Sequence, residues 1–179
     1  MRKITVSTIV SPDGVMGSPG EWGMQYFDET AQTDGLKRLL ISDAMLLGRT
    51  TYEALARAWS HRAGGFADRI NSIPKFVFSS TLPSADWGNA VLISGDIVDE
   101  ARRLKEQGER DLVIFGHGRL TKALLTAGLI DELRLLIMPV LAGRGELLFA
   151  EIGRRNLALT QSTILPSGVV ILVYSIAQD

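Results

Sequence analysis

The 179-residue chain contains no cysteine, which excludes disulfides, thiolate metal sites and cysteine nucleophiles together. Histidine is nearly as scarce. Only His61 and His117 are present, without carboxylate companions at ligand spacing, so no metal site is expected. Charge of one sign is lacking too: the net charge is −1, which leaves no field to draw in nucleic acid or an anionic membrane. Long apolar runs are missing. Leu133 to Ala142 and Val169 to Ala177 are too short to span a bilayer, and the first is interrupted by Arg134 and Pro139. No basic segment followed by an apolar stretch opens the sequence, so a signal peptide is not expected and a cytoplasmic location is. No serine stands in a Gly-x-Ser-x-Gly elbow, which argues against a hydrolase.

What remains is an ordinary globular composition, 46% hydrophobic and 22% charged, with no linker-like stretch, so residues 1–179 are expected to form one domain. Ile4, Val6, Thr8 and Val10 alternate along an opening strand, and the Gly- and Pro-rich Ser11–Trp22 stretch follows as a long loop. A helix begins near Asp28 and carries Leu36, Leu39 and Leu40 inward, before a strand at Ala44–Leu47 and a short helix from Thr50 to about Trp59. The polar His61–Ser72 segment reads as exposed and mobile. Pro74–Ser79 and Ala90–Ile93 read as strands, and Asp96 caps a helix that ends at Gly108. On that helix the mixed charges from Arg102 to Arg110 predict a solvated face. Leu112–Phe115 is a continuous apolar run of the kind found inside parallel sheets. A helix at Arg119–Ala127 follows, then strands at Glu132–Met138, Leu157–Leu165 and Val169–Ser175, the last two joined by a Pro166-Ser167-Gly168 hairpin. Strand and helix alternate early and strands dominate late, which predicts an α/β fold with a mostly parallel central sheet finished by an antiparallel C-terminal hairpin.

Two places in this order carry chemistry. Ala44-Met45-Leu46-Leu47-Gly48-Arg49-Thr50-Thr51 and Asp111-Leu112-Val113-Ile114-Phe115-Gly116-His117-Gly118-Arg119 are strands that break on glycine and restart as helices. At such a turn several backbone N–H groups lack partners and the helix dipole adds positive charge, so phosphate is accepted there. Two such turns suit a ligand with phosphates at two places, as in a dinucleotide. Arg49 is permanently charged and suits a forked contact to phosphate.

With these turns go Ser11-Pro12-Asp13-Gly14, Lys75-Phe76-Val77-Phe78-Ser79-Ser80, Leu129-Ile130-Asp131-Glu132-Leu133-Arg134-Leu135 and Pro139-Val140-Leu141-Ala142-Gly143-Arg144-Gly145. In this order the chain resembles the dihydrofolate reductase-like superfamily, and most closely the RibD C-terminal (riboflavin biosynthesis reductase) type. The resemblance implies a three-layer α/β/α fold and an NADPH-dependent oxidoreductase that passes a hydride to a pterin-like or ribosylamino-pyrimidine-like substrate. It implies that Gly48, Arg49, Thr50 and Thr51 hold one end of the pyrophosphate and the adenosine phosphate. Ser79 and Ser80 would line the adenine-ribose side, and Gly116, His117, Gly118 and Arg119 would cradle the pyrophosphate. Val10, Met16 and Gly17 would form the nicotinamide slot, and Trp22 and Arg144 would bind substrate. Because the family carries a small residue where His117 stands, the imidazole must point away from the phosphate or make a contact of its own. The family's acid falls at Asp28 counted from Trp22 and at Gln32 counted from Gly48, with Asp34 nearby. Asp28 fits a helix-start acid better than a catalytic group, and Trp22 fits the core at least as well as a substrate lid. Asp13 reads as a turn residue. A non-catalytic nucleotide-binding module that keeps the fold is the alternative. A homodimer is expected, through the apolar Glu132–Leu141 and Val169–Ala177 strands taken as the sheet edge.

Overall fold

The computed structural model describes residues 2–150 and 152–177. Eight strands form one sheet: β1 (Ile4–Val10), β2 (Ser42–Gly48), β3 (Lys75–Phe78), β4 (Ala90–Ile93), β5 (Asp111–Phe115), β6 (Glu132–Ile137), β7 (Leu157–Ile164) and β8 (Val170–Ile176). Their order is β4-β3-β2-β5-β1-β6-β8-β7. The first six run parallel; β8 pairs antiparallel with β6 and with β7. The helices are α1 (Pro19–Trp22), α2 (Glu29–Leu40), α3 (Arg49–Trp59), α4 (Gly65–Ser72), α5 (Ile97–Glu106) and α6 (Arg119–Thr126), with a single 3-10 turn at Met24–Tyr26. Among the described residues no helix is long and apolar enough to cross a membrane.

The sheet is the middle of three layers. Ala101 and Leu104 of α5 and Leu120, Leu124 and Leu125 of α6 pack on one face against Ile4, Val6, Leu112 and Ile114. On the other face Tyr52 and Trp59 of α3 and Phe66, Ala67 and Ile70 of α4 meet Met45, Leu47, Val77 and Val113. With both faces covered, β1 is buried at nearly every position, so its alternation does not separate an inside from an outside.

Four expectations change. The Ser11–Trp22 loop closes into α1. The segment expected to be exposed and mobile contains α4, whose Phe66, Ala67 and Ile70 are buried. Arg69 fastens that helix by donating to the carbonyls of Leu39, in the last turn of α2 (3.1 Å), and Ser42, at the start of β2 (2.8 Å). On α5, Lys105 is not solvated but buried, donating to Leu129 O at 3.0 Å and Asp131 Oδ2 at 2.6 Å. Finally, β6 and β8 are interior strands. The hairpin at residues 166–168 folds β8 back between β6 and β7, so β7 becomes the edge.

A buried lysine closes α4. Lys75 Nζ donates to Asn71 O (3.1 Å) and Ile73 O (2.8 Å) and lies 4.4 Å from the Trp87 ring centroid. Burial, and then the nearby Arg69, push its pKa down to about 8. The ammonium supplies the last turn of α4 with donors where the dipole favours a cation.

Candidate functional site

The carboxyl ends of β2, β5 and β1 lie side by side, because these strands are parallel neighbours. Each ends in a glycine-containing turn, so the turns gather along one edge of the sheet, where ligands of open α/β sheets bind. Gly48 is the N-cap of α3 and Gly118 that of α6; neither helix start has a side-chain cap. The unpaired N–H groups there remain available to an anion. The two turns touch. A Cβ on Gly116 would lie 3.3 Å from Thr51 Oγ1, and one on Gly48 would lie 4.0 Å from Leu120 Cβ. Gly116 has φ +85°, which is why the strand can turn sharply off the sheet here. At Gly118 the place where a Cβ would stand has no atom within 4 Å, so the backbone faces open space.

Arg49 extends this edge toward β3. It pairs with Glu53 at 2.9 Å and donates from Nη1 to Thr81 Oγ1 at 3.0 Å. Ser79 Oγ accepts the N–H groups of Thr81 (3.2 Å) and Leu82 (3.0 Å), which holds the Ser79–Leu82 turn against Arg49; Ser80 is exposed beside it. Thr81 did not figure among the sequence candidates, although it continues the Ser79-Ser80 run of hydroxyls.

The other end of the edge is built by two loops that pair with each other. Val15 bridges to Leu147; the N–H groups of Met16 and Gly17 both donate to Glu146 O, at 2.9 and 3.3 Å, and Leu148 N donates to Gly14 O at 2.8 Å. Asp13 is more than a turn residue, since its carboxylate accepts the N–H groups of Ala142 (3.1 Å) and Gly143 (2.7 Å). The Ser11 hydroxyl, then Gly143 and Ala142, hold its carboxyl below the usual range. Val10 and Met16 are buried, and Trp22 donates its indole N–H to Gly17 O at 2.9 Å while packing against the core beside Leu136 and Met138. Arg144 is exposed in the paired loop. Glu146 and Phe149 belong to this irregular stretch, and no sequence pattern pointed to them. Phe149 meets the His117 ring edge to face, with centroids 5.3 Å apart. The site therefore runs from residues 79–81 through 49–51 and 116–118 to 146–149 and 16–17.

The candidate acids Asp28 and Asp34 are engaged. Asp28 is the N-cap, with Oδ1 accepting the Ala31 N–H at 2.9 Å, which gives it the helix-start role. Asp34 forms an ion pair with the buried Arg134, whose Nη1 also lies 3.4 Å from Ser7 Oγ. Gln32 donates from Nε2 to Phe27 O at 3.3 Å.

The model of the RibD C-terminal domain matches residues 2–172. The chain belongs to the RibD C-terminal domain family. That family is of reductase type. The chain is 30% identical over 181 residues to the uncharacterized protein YyaP of Bacillus subtilis (strain 168), covering 97% of this chain and 94% of that protein. A putative riboflavin biosynthesis protein from Shewanella sp. PV-4 has the same fold, with a TM-score of 0.77 at 21% identity over 99% of this chain and 100% of that one. The dihydrofolate reductase of Enterococcus faecalis, solved with NADP(H) and RAB-propyl, superimposes with a TM-score of 0.67 at 17% identity, covering 98% and 97% of the two chains. The RibD C-terminal fold thus accounts for the three layers and for the antiparallel end of the sheet.

Proposed function

We propose that the chain is an NADPH-dependent reductase acting on a small heterocyclic substrate. The observation that carries this reading is the contact between the two glycine turns, Gly116 against Thr51, at the starts of two uncapped helices on one sheet edge. In this reading the starts of α3 and α6 hold the phosphates, Arg49 with Ser79, Ser80 and Thr81 holds the adenosine end, and Val10, Met16 and Gly17 border the nicotinamide. The cofactor, when bound, supplies the hydride. The chain's part is to orient it and to keep water away, and the buried Val10 and Met16 suit the second task.

The polar groups of α2 bear on the substrate. With Asp28 capping its helix and Asp34 paired to Arg134, the side chain that remains at the family's acid position is the Gln32 amide. An amide positions a ring by hydrogen bonds and supplies no proton, so the proton that accompanies the hydride comes from solvent. This departure from the acid of dihydrofolate reductase favours a ribosylamino-pyrimidine-like substrate over a pterin. Arg144, exposed in the loop paired with residues 14–17, suits an anionic group on such a substrate.

Calorimetric titration with NADPH and NADH tests the reading, and absence of binding by both overturns it. Arg49→Ala is expected to weaken NADPH about tenfold and NADH much less, because the guanidinium supplies charge-assisted bonds to the additional phosphate. Equal weakening of the two would remove Arg49 from the specificity of the site. Cofactor binding without turnover on a panel of pterins and ribosylated pyrimidines is what the non-catalytic module would give, and the engaged Asp28 and Asp34 favour that second reading.

The working unit is proposed to be a homodimer through β7. This eight-residue edge strand has no charge or proline, and it exposes Leu157, Leu159 and Ile164, an edge without the usual protection against pairing. Light scattering should give twice the chain mass, and Leu159→Lys should give the monomer. A monomeric wild type would contradict the proposal.

A further inference from the structure

His117 stands between the two glycines of the β5–α6 turn and is only 7% exposed, yet among the described residues neither ring nitrogen has a hydrogen-bond partner. An imidazole always offers at least one donor, and native interiors rarely leave such groups unpaired. A hydroxyl can rotate toward a partner; this ring is walled in. Phe149 covers it edge to face, and Phe149 itself holds φ +62°, a conformation that non-glycine residues seldom adopt. Two charged groups bear on the ring from the elements packed against it, Lys122 on α6 and Glu146 in the segment leading to Phe149. Thr51, on α3, meets the neighbouring Gly116 and is neutral; Arg119, next along α6, is exposed. Burial and then Lys122 hold the imidazole below its ordinary pKa, with Glu146 opposing them, which favours the neutral ring in the ligand-free protein. An acceptor brought by a ligand to this uncapped helix start, open at Gly118, would supply the missing partner, and reaching the buried nitrogens requires Phe149 to give way.

We propose that the His117 imidazole is a direct ligand of the dinucleotide's pyrophosphate and takes up one proton from solvent as the phosphate docks at the start of α6. The proposal rests on the dinucleotide reading above. Phosphate oxygens accept from the ring N–H, and their negative charge offsets Lys122 and the lost hydration, so the bound state favours the imidazolium. Proton uptake and binding are then linked, and affinity falls as pH rises past the pKa of the free ring.

The chain's two histidines make the test direct. In wild-type protein the imidazole NMR signals are followed against pH without ligand and with saturating NADP⁺, with the exposed His61 as the internal control. The His117 signals are expected to titrate below the ordinary histidine range without ligand and at least one pH unit higher, by about tenfold or more in proton affinity, with NADP⁺ bound. Calorimetry in buffers of different ionisation enthalpy should show proton uptake for both NADP⁺ and NAD⁺. His117→Gln, which keeps a donor but cannot titrate, should lose the uptake that NAD⁺ binding shows. Binding with unchanged His117 signals, or equal uptake by wild type and His117→Gln, overturns the proposal and leaves the dinucleotide reading standing. Failure of every dinucleotide to bind overturns both.

Discussion

Asp34→Ala is expected to lower the unfolding free energy by about 3 kcal/mol, the low end of the range for breaking a buried ion pair. Arg134 lies on β6 with its side chain 7% exposed, under α2, and its charge is answered by the Asp34 carboxylate and more distantly by the Ser7 hydroxyl. Burial already disfavours the guanidinium, and Asp34 is the largest influence working the other way. Removing the carboxylate leaves a permanent charge in the interior without its counterion. The Asp34 side chain is 27% exposed, so water reaches the vacated place and keeps the loss at the low end. For a chain of this size the melting temperature should fall by about 6–12 °C. Asp34→Leu with Arg134→Met should recover most of it, since replacing both partners removes the stranded charge. Thermal and denaturant unfolding followed by circular dichroism measure both variants. A loss below about 1 kcal/mol, the size of an exposed pair, would mean that Arg134 finds another partner. The result also bears on chemistry: a general acid at position 34 would show lost turnover at unchanged stability, whereas the ion pair predicts the reverse.

Gly116→Val is expected to abolish measurable cofactor binding, a loss of about a hundredfold or more. The residue sits at φ +85°, in the left-handed region that costs an ordinary residue about 1–2 kcal/mol and a β-branched one more. Its Cβ would also stand 3.3 Å from Thr51 Oγ1 and 3.6 Å from Thr51 Cγ2, between the two phosphate turns. The chain can relieve both only by moving the β5–α6 turn, which carries the N–H groups meant for the pyrophosphate. Gly118→Ala separates binding from folding. Its φ of 179° is extended and its Cβ position is open, so the melting temperature should hold within about 2 °C. A methyl there projects into the space a phosphate would fill, and affinity should fall about tenfold. Calorimetry beside thermal unfolding distinguishes the cases; full-strength binding by Gly116→Val would take the β5–α6 turn out of the cofactor site.

Several features were legible in the residues alone because their causes are local. Phe76-Val77-Phe78 and Leu112–Phe115 are apolar runs that only a strand buried on both faces explains, and both are strands of the sheet. Asp96 sits before its helix and caps it through Val98 and Asp99 N–H. α4 is not legible in the sequence because its short apolar stripe, Phe66, Ala67 and Ile70, is diluted by glycine, Asp68 and Arg69, and its stability comes from contacts elsewhere: Phe66 against Phe27, Trp59 and Phe115, and Arg69 against Leu39 and Ser42. The edge strand is hidden from the sequence for a related reason. Hydropathy marks β6 and β8 as buried, but only pairing tells that β8 lies between β6 and β7.

From the order of residues alone it follows that two strands break on glycine into helix starts, that Arg49 and the serines at 79 and 80 accompany them, and that the elements follow in the order of a RibD C-terminal domain. Each of these depends on neighbours a few residues apart, where backbone geometry and side-chain period leave a direct mark. The tertiary structure alone decided that the turns touch through Thr51 and Gly116, that Asp34 answers Arg134 from 100 residues away, and that His117 is enclosed by Phe149 without a partner. Such facts arise from packing between distant segments. The energy of a buried charge or an unpaired imidazole is set by what the fold brings beside it, and no local pattern encodes that.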